Sequence, residues 1–410
     1  MPSDWQDCAL GDAITLKRGY DLPAKERRTG TVPIVSSSGF SDLHAESMVK
    51  GPGVVTGRYG TIGQVFYVDR DFWPLNTTLY VQDFKGNDRR FVSYMLRMVD
   101  FHQFSDKAAV PGVNRNHLHT ARIVLPPIPE QIRIASLLQS FDDRIDLLRQ
   151  TNATLESIAQ ALFKSWFIDF DPVRAKAEGR EPEGMDAATA ALFPDEFEQS
   201  ALGLIPNGWR SGTLTDVADL NARSWTAKRA PSEIAYVDLA GVKSNVFDAI
   251  QRFTFGDAPS RARRELKAGD TLVGTVRPGN RSFGFISEAE AGLTGSTGFA
   301  VLSPREPEAA TFTYLCATRD ENIERLAAVA DGGAYPAVRP EIVVATPCVL
   351  PSRTVLAKFA SITEPLMQTI GANAVRAQTL ADTRDTLLPR LISGKLRLPE
   401  AQEQLEDALA

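Results

Sequence analysis

The chain has 410 residues, 45 Lys+Arg against 51 Asp+Glu and 43% hydrophobic side chains, which is too long for one ordinary core and too apolar for a disordered chain. Three cysteines far apart (Cys8, Cys316, Cys348) argue against a disulfide framework or a cysteine-based zinc site. A net charge of −6 argues against the simplest DNA binder, a basic protein on an acidic polymer, yet the acidic excess is local: residues 126–199 carry −7, whereas 1–125 carry +2, 200–350 carry −1 and 351–410 are neutral. No apolar run reaches the ~18 residues of a membrane span, and Met1 to Asp7 lack a basic-then-apolar leader, so a cytoplasmic location is expected.

Residues 1–125 alternate short β-branched runs (Val32 to Ser36, Val54 to Thr56, Gln64 to Val68) with Gly/Pro turns, the pattern of a mixed domain. A long helix follows. From Ile134, the positions Leu138, Phe141, Ile145, Leu148, Asn152, Leu155, Ala159, Leu162 and Trp166 keep 4,3 spacing, which predicts a coiled-coil seam over about four heptads. Asp169 to Asn207, rich in Pro, Gly, Ala and acidic residues, reads as an exposed linker with room for a short helix around Met185 to Phe193. A second mixed segment (200–350) leads to a second helix. Its seam, displaced by 221 residues, is Val355, Phe359, Ile362, Leu366, Thr369, Asn373, Arg376, Leu380, Thr383 and Leu387, with Pro365 expected to kink it or delay its start.

The chain is therefore duplicated. Trp5, Leu10 and Asp12 match Trp209, Leu214 and Asp216. The glycine-rich stretch Gly57-Arg58-Tyr59-Gly60-Thr61-Ile62-Gly63 matches Gly274 to Gly284, and Asn76 to Val81 match Ser296 to Val301. Val110-Pro111-Gly112-Val113-Asn114-Arg115 matches Tyr335-Pro336-Ala337-Val338-Arg339. Asn152 falls on Asn373, a polar pair that sets register and orientation, so Asn152→Leu is expected to keep or raise helix stability while loosening register. Two matched helices, each needing a partner, most simply pair antiparallel within the chain. The expected fold is α+β: two mixed α/β domains separated by two long antiparallel coiled-coil helices, with internal pseudo-two-fold symmetry. Pairing in a homodimer is the alternative.

The glycine-rich arginine loops are the strongest candidates for DNA contact. Glycine lets backbone N–H groups approach phosphate, and an arginine fork pairs with guanine O6 and N7 or with phosphate. Arg58 and Tyr59 fit that role in the first half, as do Arg277, Asn280 and Arg281 in the second. Asn114, Arg115, Tyr335 and Arg339 are further candidates, with turn formation and helix capping as their ordinary roles. The Ser36-Ser37-Ser38-Gly39 run and the Arg261/Arg263/Arg264 cluster are weaker phosphate candidates. No catalytic residue or metal site is expected. There is no Asp/Asn-Pro-Pro-Tyr/Phe run and no Gly-x-x-x-x-Gly-Lys loop, and His117-x-His119 lacks further ligands nearby.

Three segments resemble a known family: Leu125-Pro126-Pro127-Ile128-Pro129-Glu130-Gln131, opening the first helix; Leu162-Phe163-Lys164-Ser165-Trp166-Phe167-Ile168-Asp169-Phe170-Asp171-Pro172-Val173, closing it; and Leu387-Leu388-Pro389-Arg390-Leu391-Ile392-Ser393-Gly394-Lys395-Leu396, closing the second. With the duplicated plan they resemble the specificity subunits of type I restriction–modification systems. In the distal copy Pro351-Ser352-Arg353 replaces the Pro-Glu-Gln opening. The resemblance implies two target-recognition domains (1–128 and 208–351), a central helix (129–168), a linker (169–207), a distal helix (352–396) and a tail (397–410). It implies double-stranded DNA as ligand, each domain reading half of a bipartite target while the helices set the gap and dock two modification subunits, which restriction subunits join. It implies no cofactor on this chain, with S-adenosylmethionine, ATP and Mg on the partners. Two rival readings remain: a stand-alone metal-dependent nuclease on the outline Asp257/Glu265/Lys267, and a coiled-coil scaffold that never touches DNA.

Overall fold

The computed structural model describes residues 4–105, 112–226, 228–248 and 250–401, so Val110, Pro111 and the tail beyond 401 lie outside the described residues. The fold is α+β and divides into two compact units: residues 1–146 with 378–410, and residues 147–377. Two 40-residue helices, the central Ile128–Phe167 and the distal Arg353–Ile392, each about 60 Å long, contribute to both.

In the first unit Gln6–Ala9 pairs antiparallel with Arg122–Leu125. A four-stranded sheet runs in the order Thr15–Arg18, Thr78–Asp83, Gly53–Gly57, Val65–Val68. A smaller sheet places Val32–Ser36 between antiparallel Gly39–His44 and parallel Trp73–Pro74. Val35, Val55, Val68, Phe72 and Tyr80 form a core between them. The second unit repeats the plan. Arg210–Thr213 pairs with Pro347–Leu350, and one sheet runs Ala218–Leu220, Phe299–Pro304, Thr271–Gly274, Phe283–Phe285. In the other, Glu233–Val237 lies between antiparallel Gln251–Thr254 and parallel Leu293–Ser296.

The paired sequence positions do the same work in each unit. Leu10 and Leu214 are fully buried, and Trp5 and Trp209 nearly so. Asp12 accepts from the Ala9 N–H (3.1 Å) and Asp216 from the Thr213 N–H (2.9 Å), each carboxylate satisfying the N–H three residues before it.

The central seam is buried as its spacing predicts: Ile134, Leu138, Phe141, Ile145, Leu148, Ala159 and Trp166 are buried and Asn152 half-buried. Gln131, from the Pro-Glu-Gln opening, is fully buried. Its Nε2 donates to Asn87 Oδ1 (2.8 Å) and the Pro126 carbonyl (2.9 Å), and its Oε1 accepts from the Asp88 N–H (3.0 Å). In the second unit the two helices meet at the expected asparagines. Asn373 Nδ2 donates to Asn152 Oδ1 (2.9 Å), and Asn152 Nδ2 donates to the Ile370 carbonyl (3.0 Å).

Three expectations need correction. The distal seam shifts by one position after Phe359: Thr363, Met367 and Ile370 are buried, whereas Ile362 is 37% exposed, Leu366 half-buried and Thr369 exposed. The cause is a second neighbour. Thr363 Oγ1 bonds Thr311 Oγ1 (2.7 Å) on the helix Ala310–Thr318, so this stretch buries a face wider than a two-helix seam. Pro365 neither delays nor interrupts the helix, which runs on from Arg353 to Ile392; both it and Ser361, whose carbonyl loses a partner, lie on the exposed face, where that carbonyl is open to solvent. The stretch 169–207 is structured: helices Asp171–Ala177 and Ala187–Ala190 and the hairpin Phe197–Ser200/Gly203–Pro206 bury Phe170, Val173, Phe193 and Ile205 in one cluster with Trp166, Phe167, Trp209, Phe312 and Phe359. Sparse aromatic anchors outweigh a loop-like composition there, each large ring burying enough apolar surface to hold its segment.

Candidate nucleic-acid interface

In the first unit the strand Gly53–Gly57 ends at the loop carrying Arg58 and Tyr59. Both backbone N–H groups donate to the Thr77 carbonyl (2.9 and 3.2 Å), and the Val113 N–H donates to the Arg58 carbonyl (3.1 Å). The loop and the segment after Gly112 are therefore tied side by side. The Arg58 guanidinium lies over the Tyr59 ring, 4.4 Å from its centroid, while Nε donates to the Val113 carbonyl (3.4 Å). Gly112 has to be glycine because a Cβ there would collide with the Tyr59 ring. Asn114 caps the short helix Arg115–Leu118 by accepting from the Asn116 N–H (2.9 Å), and Arg115 is exposed. The Ser36–Ser38 turn reaches the same place, with Ser37 beside Gly60.

The second unit builds the same backbone from different side chains. The Thr275 N–H donates to the Gly298 carbonyl (2.9 Å) and the Val338 N–H to the Thr275 carbonyl (2.9 Å). The bridge Tyr59–Gly112 recurs as Val276–Ala337. Structurally, Arg58 and Tyr59 thus correspond to Thr275 and Val276, and the arginines of the second loop sit further along. Arg277 donates through its N–H to the Pro336 carbonyl and through Nη2 to the Ala334 carbonyl (both 2.7 Å), with its guanidinium 4.8 Å from the Tyr335 ring centroid. Tyr335 is 71% exposed. A 3₁₀ turn, Pro278–Asn280, leads to Arg281, whose Nη2 donates to Asp320 Oδ1 (2.6 Å). Asn280 is exposed, and Arg339 occupies the position before the helix Pro340–Val344, equivalent to Asn114. Every candidate residue of a unit thus belongs to one loop pair. Each pair offers cationic forks, amides and an aromatic ring, donors suited to phosphates and base edges.

The weaker candidates fare differently. Arg263 lies over Phe255 and bonds the Ala262 carbonyl, and Arg264 bonds Ser224, leaving Arg261 as the exposed member of the cluster. His119 Nε2 accepts from the Leu16 N–H (3.0 Å), and burial lowers its pKa. Asp257 accepts from Thr254 Oγ1 within its own turn, while Glu265 faces Lys267 at 3.9 Å. Among the described residues no group of three or more His, Cys, Asp or Glu is placed to hold a metal ion.

Two buried anchors went unread because their partners are far apart in sequence. Tyr94, fully buried, donates to Asp142 Oδ2 (2.6 Å) on the central helix, and Asp142 also takes Arg384 Nη1 (2.5 Å) from the distal helix. Burial pushes the Tyr94 hydroxyl pKa up. In the other unit Tyr314 donates to Glu156 Oε1 (2.6 Å), with Asn245 Nδ2 on Oε2 (3.1 Å), and burial raises the Glu156 carboxyl pKa. Each anchor ties a mixed domain to the helices of its own unit.

Residues 2–157 match the family model for the type I restriction modification DNA specificity domain. The type I restriction enzyme HindI specificity subunit of Haemophilus influenzae is 23% identical over 463 aligned positions, covering 96% of this chain and all of its own length. The MjaIX specificity subunit of Methanocaldococcus jannaschii is 26% identical over 309 residues, 72% of this chain and 65% of its own. Over residues 2–157 the chain belongs to the type I restriction modification DNA specificity domain family. The crystal structure of the type I S subunit from M. genitalium shares the fold at 16% identity, with a TM-score of 0.56 over 95% of this chain and 96% of that one. In this chain the three segments singled out in the sequence are the places where helices meet domains. Gln131 opens the central helix, and Phe163, Trp166 and Phe167 close it in the aromatic cluster. Leu387, Leu388 and Leu391 close the distal helix before Gly394, whose φ of +69° forms the cap.

Proposed function

We propose that this chain is the non-catalytic DNA-recognition subunit of a type I restriction–modification complex. Each mixed domain reads one half of a bipartite double-stranded target through its loop pair. The central and distal helices form an antiparallel coiled coil that sets the unread gap and docks two modification subunits, which restriction subunits join. S-adenosylmethionine, ATP and Mg act on those partners, and the complex works in the cytoplasm. Among the described residues no helix is long and apolar enough to cross a membrane.

The observation that carries this reading is the repeated loop pair: one backbone scaffold occurs in both units, bearing Arg58 and Tyr59 in one and Arg277, Arg281 and Tyr335 in the other. A shared scaffold with different readers suits two unlike half-sites. The helix pairing is supported by the Asn152–Asn373 bond and by Phe167 against Phe359 (4.9 Å between centroids), contacts whose numbers rise on one helix as they fall on the other. Near-neutral domains bind phosphate weakly by charge alone, so affinity depends on base contacts and on the partners. Co-expression with the modification subunit, followed by mapping of adenine methylation across a genome, is expected to give one bipartite motif. Methylation without a bipartite motif would contradict the reading.

A further inference from the structure

The arginines of the second loop are held in different ways, and the difference assigns them different ligands. Four of the seven non-glycine residues with positive φ among the described residues lie here: Ser244 (44°), Asn245 (64°), Arg277 (48°) and Arg281 (62°). Their two loops are joined, since the Ser244 N–H donates to the Arg281 carbonyl and the Asn245 N–H to the Phe283 carbonyl (both 2.8 Å). Asn245 is fixed further by the Phe285 N–H on its Oδ1 (2.8 Å) and by its own bond to Glu156. Backbone strain of this kind persists only where the surroundings impose it, and it concentrates at working sites. Both arginines are thus presented from a rigid frame.

Arg277 leans on neutral partners, the Ala334 carbonyl and the Tyr335 ring. Arg281 is tied to a carboxylate, Asp320, which is itself 70% exposed. A carboxylate beside an arginine is unfavourable where that arginine is to meet a phosphate, because the two anions repel. Beside a base edge it is an asset. It holds the guanidinium at one Nη2 beside the Phe283 ring, leaves the remaining N–H groups for O6 and N7 of guanine, and its free oxygen can accept from a neighbouring cytosine N4.

Resting on the recognition role proposed above, we propose that Asp320 is a specificity-determining positioning residue: it holds Arg281 as the guanine-reading fork of the second domain, while Arg277 serves the backbone. The test uses the complete complex. The unsubstituted chain, Arg281→Lys, Asp320→Asn and Asp320→Glu are each co-expressed with the modification subunit, and methylation is mapped. Arg281→Lys and Asp320→Asn are expected to relax one G·C position in the half-site of the second domain, raising adenine methylation at sites with another base pair there about tenfold. Asp320→Glu should restore part of the preference, and the other half-site should not change. An unchanged motif overturns the proposal, as does a loss of methylation spread evenly over all sites with no change in base preference. A lack of any bipartite motif with the unsubstituted chain overturns the recognition reading itself, so the two failures are distinct.

Discussion

Asn152→Leu separates the structural account from the sequence expectation of equal or greater stability. Asn373 is only 6% exposed, and its amide donates to Asn152 Oδ1 at 2.9 Å. Replacing Asn152 alone leaves that donor buried without a partner, at a cost of about 1–3 kcal/mol. The Ile370 carbonyl, inside a helix, also loses a donor, but its helical bond remains. Extra apolar area on a half-buried leucine offsets roughly 1 kcal/mol of this. Asn373→Leu alone should cost less, because half-buried Asn152 keeps its bond to Ile370 and can turn its free oxygen to water. The double replacement removes every unsatisfied amide and should be at least as stable as the parent while losing register specificity. Urea unfolding of the four proteins gives a double-mutant cycle, with an expected coupling of about 2 kcal/mol. Additive single effects, or an Asn152→Leu protein more stable than the parent by over about 0.5 kcal/mol, would refute the reasoning.

Tyr94→Phe removes a buried hydrogen bond to a charged acceptor and should lower stability by about 1.5–3 kcal/mol in the same assay, while Asp142 keeps Arg384. Glu156 has its carboxyl pKa raised by burial, so the folded state binds this proton more tightly than the unfolded chain does. Its contribution therefore improves as pH falls through the raised folded value and is complete below the ordinary glutamate range; Glu156→Gln should abolish that slope and raise stability above it, which a pH series of unfolding midpoints checks. Arg58→Ala and Arg277→Ala should each reduce the magnitude of the log–log salt slope of DNA binding by about 0.9 for each phosphate that the arginine neutralises, read by fluorescence titration of the assembled complex.

The duplication was legible because it rests on local constraints repeated about 200 residues apart. Asp12 and Asp216 each bond the N–H three residues before them, and the glycine loops each follow a central strand. The central seam was legible because its hydrophobic spacing is strict and unbroken. The distal seam was not: Thr363 is polar yet buried by its bond to Thr311, a tertiary contact 52 residues away. Composition misread 169–207, where Phe170, Phe193 and Ile205 are too sparse to form a periodic signal but suffice to anchor the segment. At the candidate interface, residue types and proline positions picked out residues that the backbone brings together in each unit. What stayed hidden was the partner of each side chain. Asp320 lies 39 residues from Arg281 and Asp142 lies 48 from Tyr94, and no spacing rule links such pairs.

The central claim is that each domain reads its own half-site. Exchanging residues 1–125 for the corresponding segment of a relative with a different target, then mapping adenine methylation, tests it most directly. The expected motif keeps one half and the gap length of the parent and takes its other half from the donor. A motif unchanged by the exchange, or altered in both halves at once, would contradict the account.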